Sequence, residues 1–361
     1  MQSAIESGLG WLLGSGVQEA EGGVHAKYAA DGEQFDPVSV HATGRYIQAM
    51  LTLGDPEDPR QRELAVRAGR FLLDRAFDLT TDLFVQEFPT GDGVATGQAA
   101  AARKATITGC AAALQALVSL WQATGDNAYR ECAARCARAI RTRMSRVDGA
   151  YFLSYDLDYQ SPDFDADAEA DQLKVAVAFW RLAEDGGLRE FDDAAEQMLR
   201  WAIVRHETLL PEWIDRKELV PALERYALFL EGLLPIAHLD SRASLAFQSG
   251  LLRLERGVIE ANGSSSPQAL ARLLRLRLYA DSFGIIELDR WEAERERDEL
   301  LQRQLLSDNP RLHGAFVLPR YKAQPGGAEA DTESTIVATQ ALMMWEEVAD
   351  GGFRDPWQIL I

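Results

Sequence analysis

The sequence has few of the features that mark secreted, metal-binding or nucleic-acid-binding proteins. Its 361 residues include only three cysteines, Cys110, Cys132 and Cys136, which make a poor disulfide framework and, with no histidine nearby, a poor zinc site. Basic side chains number 37 against 56 acidic ones, for a net charge of −19. Nucleic acids and anionic membranes call for a basic face, so this balance argues against both as partners.

Long hydrophobic runs are also missing. The most apolar window, residues 111–121, is too short to span a bilayer and is interrupted by Gln115 and Ser119. The first seven residues contain no basic leader before an apolar stretch, so no secretory signal is visible. We therefore expect a cytoplasmic protein with reduced cysteines and no membrane insertion.

Signatures of cofactor and metal sites are incomplete. Gly91-Asp92-Gly93 lacks the later glycine of a phosphate-binding loop. Alternating acids over 163–171 resemble the start of a calcium loop without its glycine and terminal glutamate. No serine nucleophile elbow is found either. We expect neither a cofactor nor a metal.

The sequence does contain a repeated helical pattern, which is clearest over residues 105–144. An almost wholly apolar helix stops at Thr124-Gly125-Asp126, where glycine can end one helix and aspartate can begin the next. The following helix has an apolar stripe at three-to-four spacing and exposes its arginines. The unit is thus a buried helix followed by an amphipathic one.

Six such pairs fill the chain. Buried helices are predicted around 41–53, 111–121, 171–182, 217–234, 268–280 and 332–348, and the amphipathic helix 3–13 supplies the missing partner of the last one. This alternation predicts an all-α, (α/α)6 toroid of six inner and six outer helices, formed as a single domain over 1–361. An open solenoid is the alternative, but it requires polar faces at both ends.

The connections from outer to inner helices are mostly long, and in a toroid all of them emerge on one face. They cover residues 14–40, 79–104, 145–170, 206–216 and 307–331. Glycine followed by aromatic residues or histidine, as in Gly149-Ala150-Tyr151-Phe152, predicts short β-hairpins on this face. Long loops on a rigid scaffold commonly carry binding and catalytic groups.

Aromatic and basic side chains of this face are candidates for binding a saccharide, although most of the aromatics are expected to form a secondary core beneath the loops. The candidate substrate-binding residues are His25, His41, Arg45, Tyr46, Tyr155, His206, Trp213, His313 and Tyr321. His41 and Arg45 lie four apart at the start of an inner helix and would share one side of it.

Carboxylates are abundant in the same loops. Glycoside chemistry requires one protonated and one ionised carboxyl across a sugar, with pKa values separated by burial and mutual repulsion. The candidate catalytic residues are Glu87, Glu212, Asp215, Asp331 and Glu333. Glu87 lies between Phe84 and Phe88, whereas Asp331 and Glu333 could equally be acids that favour a helix start.

The repeating units resemble the six-hairpin, (α/α)6-toroid superfamily, which includes glycoside hydrolases, sugar 2-epimerases and uronyl C5-epimerase domains. Trp11-Leu12-Leu13, Gly22-Gly23-Val24 and the stretch from His41 to Tyr46 most resemble toroid proteins linked to bacterial polysaccharide synthesis. Terpene-cyclase-like and prenyltransferase-like barrels share the outline, but their aspartate-rich and zinc-ligand signatures are missing. The resemblance implies a carbohydrate-active protein and assigns no catalytic acid.

The leading hypothesis is a carbohydrate-active enzyme that hydrolyses a glycosidic bond with paired carboxylates in a loop-lined axial cleft. Its substrate would be a saccharide or another small neutral or uronic molecule. Two alternatives remain open: a sugar or uronyl epimerase with a histidine base, and a non-catalytic toroid that binds a glycan or protein. The hydrolytic enzyme predicts cleft carboxylates that are paired for glycoside chemistry. The non-catalytic toroid predicts carboxylates that are held in salt bridges or lie too far apart for that chemistry.

Overall fold

Helices make up most of the chain that the structure describes. The structure, a computed structural model, describes residues 1–53, 55, 58–89, 103–164, 172–209, 216–261, 265–317 and 328–349. Over these residues it has twelve α-helices: α1 (Gln2–Gly14), α2 (Val40–Thr52), α3 (Pro59–Phe71), α4 (Ile107–Thr124), α5 (Asn127–Ala139), α6 (Leu173–Glu184), α7 (Asp192–Leu209), α8 (Arg216–Ala237), α9 (Ser241–Glu260), α10 (Pro267–Ser282), α11 (Arg290–Leu301) and α12 (Thr332–Ala349). The all-α prediction is confirmed. Among the described residues, no helix combines the length and apolar character needed to cross a bilayer.

Short strands lie between the helices. They are β1 (Lys27–Ala29), β2 (Gln34–Phe35), β3 (Val38–Ser39), β4 (Phe77–Asp78), β5 (Leu83–Phe84), β6 (Glu87–Phe88), β7 (Lys104–Thr106), β8 (Ser154–Asp156), β9 (Ser161–Pro162) and β10 (Glu329–Asp331). Three of them lead directly into a buried helix: β3 into α2, β7 into α4 and β10 into α12. β3 pairs antiparallel with β6, β7 with β8, and β10 with β1. Each of these partner strands follows an outer helix.

The predicted hairpins after the outer helices are confirmed. Single antiparallel bridges join Gln18 to Val24, Ser145 to Tyr151 and Gln304 to Phe316. Each bridge closes a turn that contains a glycine at positive φ, at Gly22, Gly149 and Gly314. A side chain other than glycine rarely adopts this backbone conformation, which explains the glycine before each aromatic or histidine.

The helix boundaries follow from capping residues in the sequence. Gly125 adopts φ +74° after α4, and its N–H donates to the carbonyl oxygen of Trp121. The side chain of Asp126 then accepts from the N–H of Ala128 and starts α5. This turn is the one predicted at Thr124-Gly125-Asp126, so the repeat boundary was read correctly from the sequence.

The described residues fall into two compact units. The first, which we call the central unit, comprises residues 17–26 and 35–201, and the second, the terminal unit, comprises residues 1–16, 27–34 and 202 onward. The single domain expected over 1–361 stays a prediction.

Three buried helices form the middle of the central unit. Helix α4 packs against α2 on one side and α6 on the other, while the amphipathic helices α3 and α5 cover α2 and α4. A glycine allows the close contact of α2 with α4, because a Cβ at Gly44 would lie 2.7 Å from the backbone carbon of Ala112.

The terminal unit repeats this arrangement with α8, α10 and α12. Helix α10 packs between α8 and α12, and its residues from Pro267 to Ala280 are buried with one exception, the half-buried Gln268. The outer helices α9, α11 and α1 cover α8, α10 and α12 respectively. Helix α1 thus supplies the outer partner of the last helix, as predicted.

Candidate functional site

Charged side chains gather where α8, α10 and α12 lie side by side in the terminal unit. Arg272 on α10 is wholly buried and contacts carboxylates of both neighbouring helices. A buried guanidinium is stable only where ion pairs and hydrogen bonds replace its lost hydration. Arg272 is therefore the centre of the charged site.

Glu333 is the acid in closest contact with Arg272. Its Oε1 lies 2.5 Å from Nη2 of the arginine, and its side chain is 17% exposed. Arg272 also donates from Nη1 to Oε1 of Gln268, at 3.0 Å. The ion pair favours the ionised carboxylate of Glu333 in a place that solvent still reaches.

Asp331 lies at the junction of β10 and α12. Its Oδ1 accepts from the main-chain N–H of Ser334 at 2.6 Å, which caps α12, and from Nε2 of Gln268 at 3.0 Å. Burial raises the pKa of Asp331, and the hydrogen bonds from Ser334 and Gln268 oppose that shift. Asp331 thus begins the helix, as the sequence allowed, and also lies beside the charged cluster.

A second layer of ion pairs lies behind the first. Glu231 on α8 is wholly buried, with one oxygen 3.5 Å from Nε of Arg272 and the other 3.3 Å from Nη2 of Arg275. Arg275 in turn donates to the side-chain oxygen of Gln340 on α12 at 3.0 Å. These contacts tie the three inner helices together and fix the guanidinium plane of Arg272.

Glu224 on α8 is a carboxyl of this site that our sequence reasoning missed. Burial raises its pKa, while a hydrogen bond with Ser266 and the charge of Arg272 lower it. A signal was present in the sequence, since Glu224 and Glu231 lie seven apart on α8, a spacing that places them on the same side of the helix. Gln268, Arg272 and Arg275 show the matching i, i+4, i+7 spacing on α10.

Other predicted residues lie in the central unit. Arg45 donates from Nε to Nε2 of His41 at 3.2 Å, so the expected pair at the start of α2 is formed. His25 is buried, contacts the carbonyl oxygen of Asp36 through Nδ1 at 2.7 Å and lies 3.4 Å from Glu19 through Nε2. Burial lowers the pKa of His25, and its two ring nitrogens serve contacts within the loop.

Two tyrosines proposed to bind substrate lie in the interior. Tyr46 is 1% exposed and Tyr155 is 3% exposed, and burial raises the pKa of Tyr46. Tyr155 thus belongs to the secondary core that was expected for most of the loop aromatics, whereas Tyr46 is part of the buried helix α2.

Glu87 differs from our expectation. We expected Phe84 and Phe88 to shield it, but its side chain is exposed on β6. Adjacent residues of a strand point to opposite faces, so the burial of neighbours does not extend to Glu87. Its catalytic role stays a prediction.

The remaining predicted residues lie on other elements or outside the described residues. His206 lies in the last turn of α7, with Nε2 3.4 Å from the hydroxyl of Ser249. His313 lines a groove of about 520 Å³ beside α1, together with Glu6 and Asp308. Glu212, Trp213, Asp215 and Tyr321 fall in segments that the structure does not describe.

The arrangement around Arg272 can separate the proton affinities of neighbouring carboxyl groups. The guanidinium favours the ionised form of Glu333, while burial favours the neutral form of the carboxyls that do not contact it. Such a difference is what acid–base chemistry on a glycosidic bond requires. In the described part of the chain, no group of three or more histidine, cysteine, aspartate or glutamate side chains is placed to hold a metal ion.

Comparison with known proteins shows the fold class. No family model and no curated protein matches the sequence. Among solved structures, the chain is similar to cellobiose 2-epimerase from Spirochaeta thermophila, with 17% identity, a TM-score of 0.65 and 95% of each chain covered. It is also similar to an α-amylase from Clostridium perfringens, with 9% identity, a TM-score of 0.64 and coverage of 95% of this chain and 98% of that one.

A third similar structure is an unsaturated glucuronyl hydrolase specific for heparin, with 12% identity, a TM-score of 0.63 and 97% of each chain covered. These neighbours are six-hairpin toroid enzymes that act on carbohydrates, and they include both hydrolases and epimerases. The chain therefore has the (α/α)6-toroid fold predicted from its repeats.

Proposed function

We propose that this chain is a carbohydrate-active enzyme that hydrolyses a glycosidic bond, with its site at the carboxyl cluster around Arg272. The observation that carries the proposal is the partly exposed Glu333, held against a buried guanidinium beside the half-buried Asp331. The fold supports it, because toroids of this class include enzymes named for chemistry on sugars. A cytoplasmic location stays a prediction.

In this proposal Asp331 and Glu333 act in their ionised forms. Glu333 stabilises the positive charge that develops on the sugar ring. Asp331 accepts a proton from the attacking water, and its raised pKa makes it a better base than an exposed aspartate. Gln268 donates to Asp331 and accepts from Arg272, so it positions both groups.

The test is a screen of neutral and uronic glycosides for hydrolysis, followed by Asp331→Asn and Glu333→Gln on any substrate found. Asparagine is as good a helix cap as aspartate, so Asp331→Asn should fold and lose turnover. Glu329→Gln is the matched control, because Glu329 is two residues earlier on β10 with its side chain half exposed. Full activity in both site variants would refute this site.

A non-catalytic glycan-binding toroid is the second candidate. The observation that favours it is the ion pair of Glu333 with Arg272, since we expected salt-bridged carboxylates in a protein that only binds. Binding detected by saturation-transfer NMR, without hydrolysis of any bound glycan, would support this candidate over the enzyme.

Epimerisation is the third candidate, and the His41–Arg45 pair is the observation that favours it. The Nε2 of His41, a ring nitrogen that could serve as the base, accepts a hydrogen bond from Nε of Arg45 at 3.2 Å. Incorporation of deuterium from D2O into a sugar C–H bond would identify this reaction, and His41→Gln should then abolish the exchange.

A further inference from the structure

We propose that Glu224 on α8 is the proton donor of the hydrolysis proposed above, an assignment that rests on that function. The charges around Arg272 do not balance if every carboxyl is ionised. Two wholly buried arginines, Arg272 and Arg275, face four acids: Glu224, Glu231, Asp331 and Glu333. Glu333 is 17% exposed, and Asp331 and Glu224 are half-buried, so solvent stabilises part of this surplus of negative charge, and a proton held by one of the acids reduces it further.

Among the described residues, the contacts show which of these acids have groups that stabilise a negative charge. Glu231 lies between both guanidinium groups, and Glu333 contacts Arg272 at 2.5 Å. Within the described part of the chain Asp331 forms no ion pair with an arginine, but it accepts two N–H groups and lies at the positive end of α12. Each of these three carboxylates therefore has groups that stabilise its charge.

Glu224 has a weaker set of partners. Its hydrogen bond is with the hydroxyl of Ser266, whose oxygen already accepts from the N–H of Ala269 at 3.1 Å as the cap of α10. The hydroxyl hydrogen can then point to Glu224, and a single hydroxyl donor stabilises a carboxylate less than a guanidinium does. The proton of the cluster is therefore placed on Glu224.

The charged groups that act on Glu224 come from the two neighbouring helices. Arg272 on α10 lowers its pKa, whereas Asp331 and Glu333 at the start of α12 raise it, in the same direction as burial, which is the largest effect. The negative charge that makes Asp331 and Glu333 useful in the reaction thus also keeps the proton on Glu224.

The proposed step conserves atoms and charge. The bond from the anomeric carbon to the leaving oxygen breaks, its electron pair goes to that oxygen, and the oxygen takes the proton of Glu224. Water supplies the hydroxyl group of the new sugar end and gives its other proton to Asp331. Proton exchange with solvent then removes the proton from Asp331 and returns Glu224 to its neutral form.

The first measurement locates the proton without requiring turnover. We would titrate the 13C-labelled glutamate carboxyls by NMR and assign Glu224 with Glu224→Gln, and Glu218 with Glu218→Gln. Glu218 is the matched control, because it is an exposed glutamate on the same helix. Glu224 should titrate at higher pH than Glu218, and Glu333→Gln should lower the midpoint of Glu224. A midpoint at or below that of Glu218 would overturn the assignment.

The second measurement uses leaving groups of different basicity. On glycosides with a poor alkyl leaving group, Glu224→Gln should lower kcat by about 100-fold or more. The fall in rate at high pH that the wild type shows should also disappear in this variant, because the group that loses its proton there is removed. On 2,4-dinitrophenyl glycosides, which need no protonation, it should retain most of the wild-type rate. Equal losses on both substrates would refute a proton donor.

The two proposals can fail separately. If the wild type hydrolyses none of these glycosides, the proposed function fails, while the NMR midpoint still tests the charge argument. If hydrolysis is found and Glu224→Gln matches Glu218→Gln, only the assignment of Glu224 fails. Circular dichroism and Glu224→Asp, which keeps a carboxyl group, exclude misfolding as the cause of a loss.

Discussion

At the scale of single residues, the buried arginines of α10 each depend on acids supplied by other helices. Arg272 contacts acids of α8 and α12, while Arg277 contacts Glu296 on α11 and Glu255 on α9. A charge removed from water costs several kcal/mol unless it is paired. A helix packing that separated these arginines from their acids would leave buried charges unpaired, so the pairs favour the observed packing.

Arg272→Met should strongly destabilise the protein, because it removes the ion pairs that Arg272 makes with the buried Glu231 and with Glu333. We expect the free energy of unfolding to fall by about 3–5 kcal/mol, measured by urea denaturation. Arg242→Met is the control, since the side chain of Arg242 is 71% exposed and its pair with Asp240 should contribute under about 1 kcal/mol. Similar losses in both variants would contradict this account of Arg272.

Glu296 should make stability fall as pH rises through the neutral range. Burial raises the pKa of Glu296 to about 8, although Nε of Arg277 lies 2.9 Å from its Oε1. Between about pH 4.5 and pH 8 the unfolded chain releases a proton that the folded chain keeps, so unfolding becomes easier. The free energy of unfolding of the wild type should therefore fall by about 3 kcal/mol between pH 5 and pH 8 because of this site. The variant Glu296→Gln should not show this fall.

Urea denaturation at both pH values measures the difference, with Glu294→Gln on the same helix as control. Glu294 is 45% exposed and pairs with the exposed Arg290. The expectation is wrong if Glu296→Gln shows the same pH dependence as Glu294→Gln.

The candidate site was only partly predictable from residue types. Asp331 and Glu333 were found because a helix start shows in the sequence as acids before an apolar run. Glu224 and Arg272 were missed because periodicity indicates which residues are buried but not which buried charges meet. Their contacts depend on the packing of α8 against α10, and a single sequence does not contain that information.

At the scale of helices, local signals determined most of the boundaries. Asp126 and Ser266 cap the helices that follow them, and each precedes an apolar repeat in the sequence, whereas Asp289 caps the polar helix α11. The five-residue π-helical turns after α3 and α5, Leu72–Ala76 and Ile140–Met144, were not predicted. Their residues have the same apolar pattern as an ordinary last helical turn, so only the packed structure reveals them.

Two glycine substitutions should have effects of opposite sign. A Cβ at Gly44 would lie within 3.0 Å of the α4 backbone, so Gly44→Ala should separate α2 from α4 and cost about 1–3 kcal/mol. At Gly10 on α1 nothing lies within 4 Å of the added atom, so Gly10→Ala should add about 0.5–1 kcal/mol through helix propensity. Thermal denaturation would contradict the close-contact argument if both variants were stabilised.

At the scale of the whole molecule, the repeat count predicts one domain, and calorimetry can test this. The chain passes between the two units at residues 16–17, 26–27, 34–35 and 201–202, and the last passage falls inside α7. Neither unit is a continuous piece of chain, so we expect one unfolding transition with equal calorimetric and van't Hoff enthalpies. Gly44→Ala in the central unit and Arg272→Met in the terminal unit should each lower that same transition. Two transitions, with each variant lowering only one of them, would show instead that the units unfold independently and that the predicted single domain is wrong.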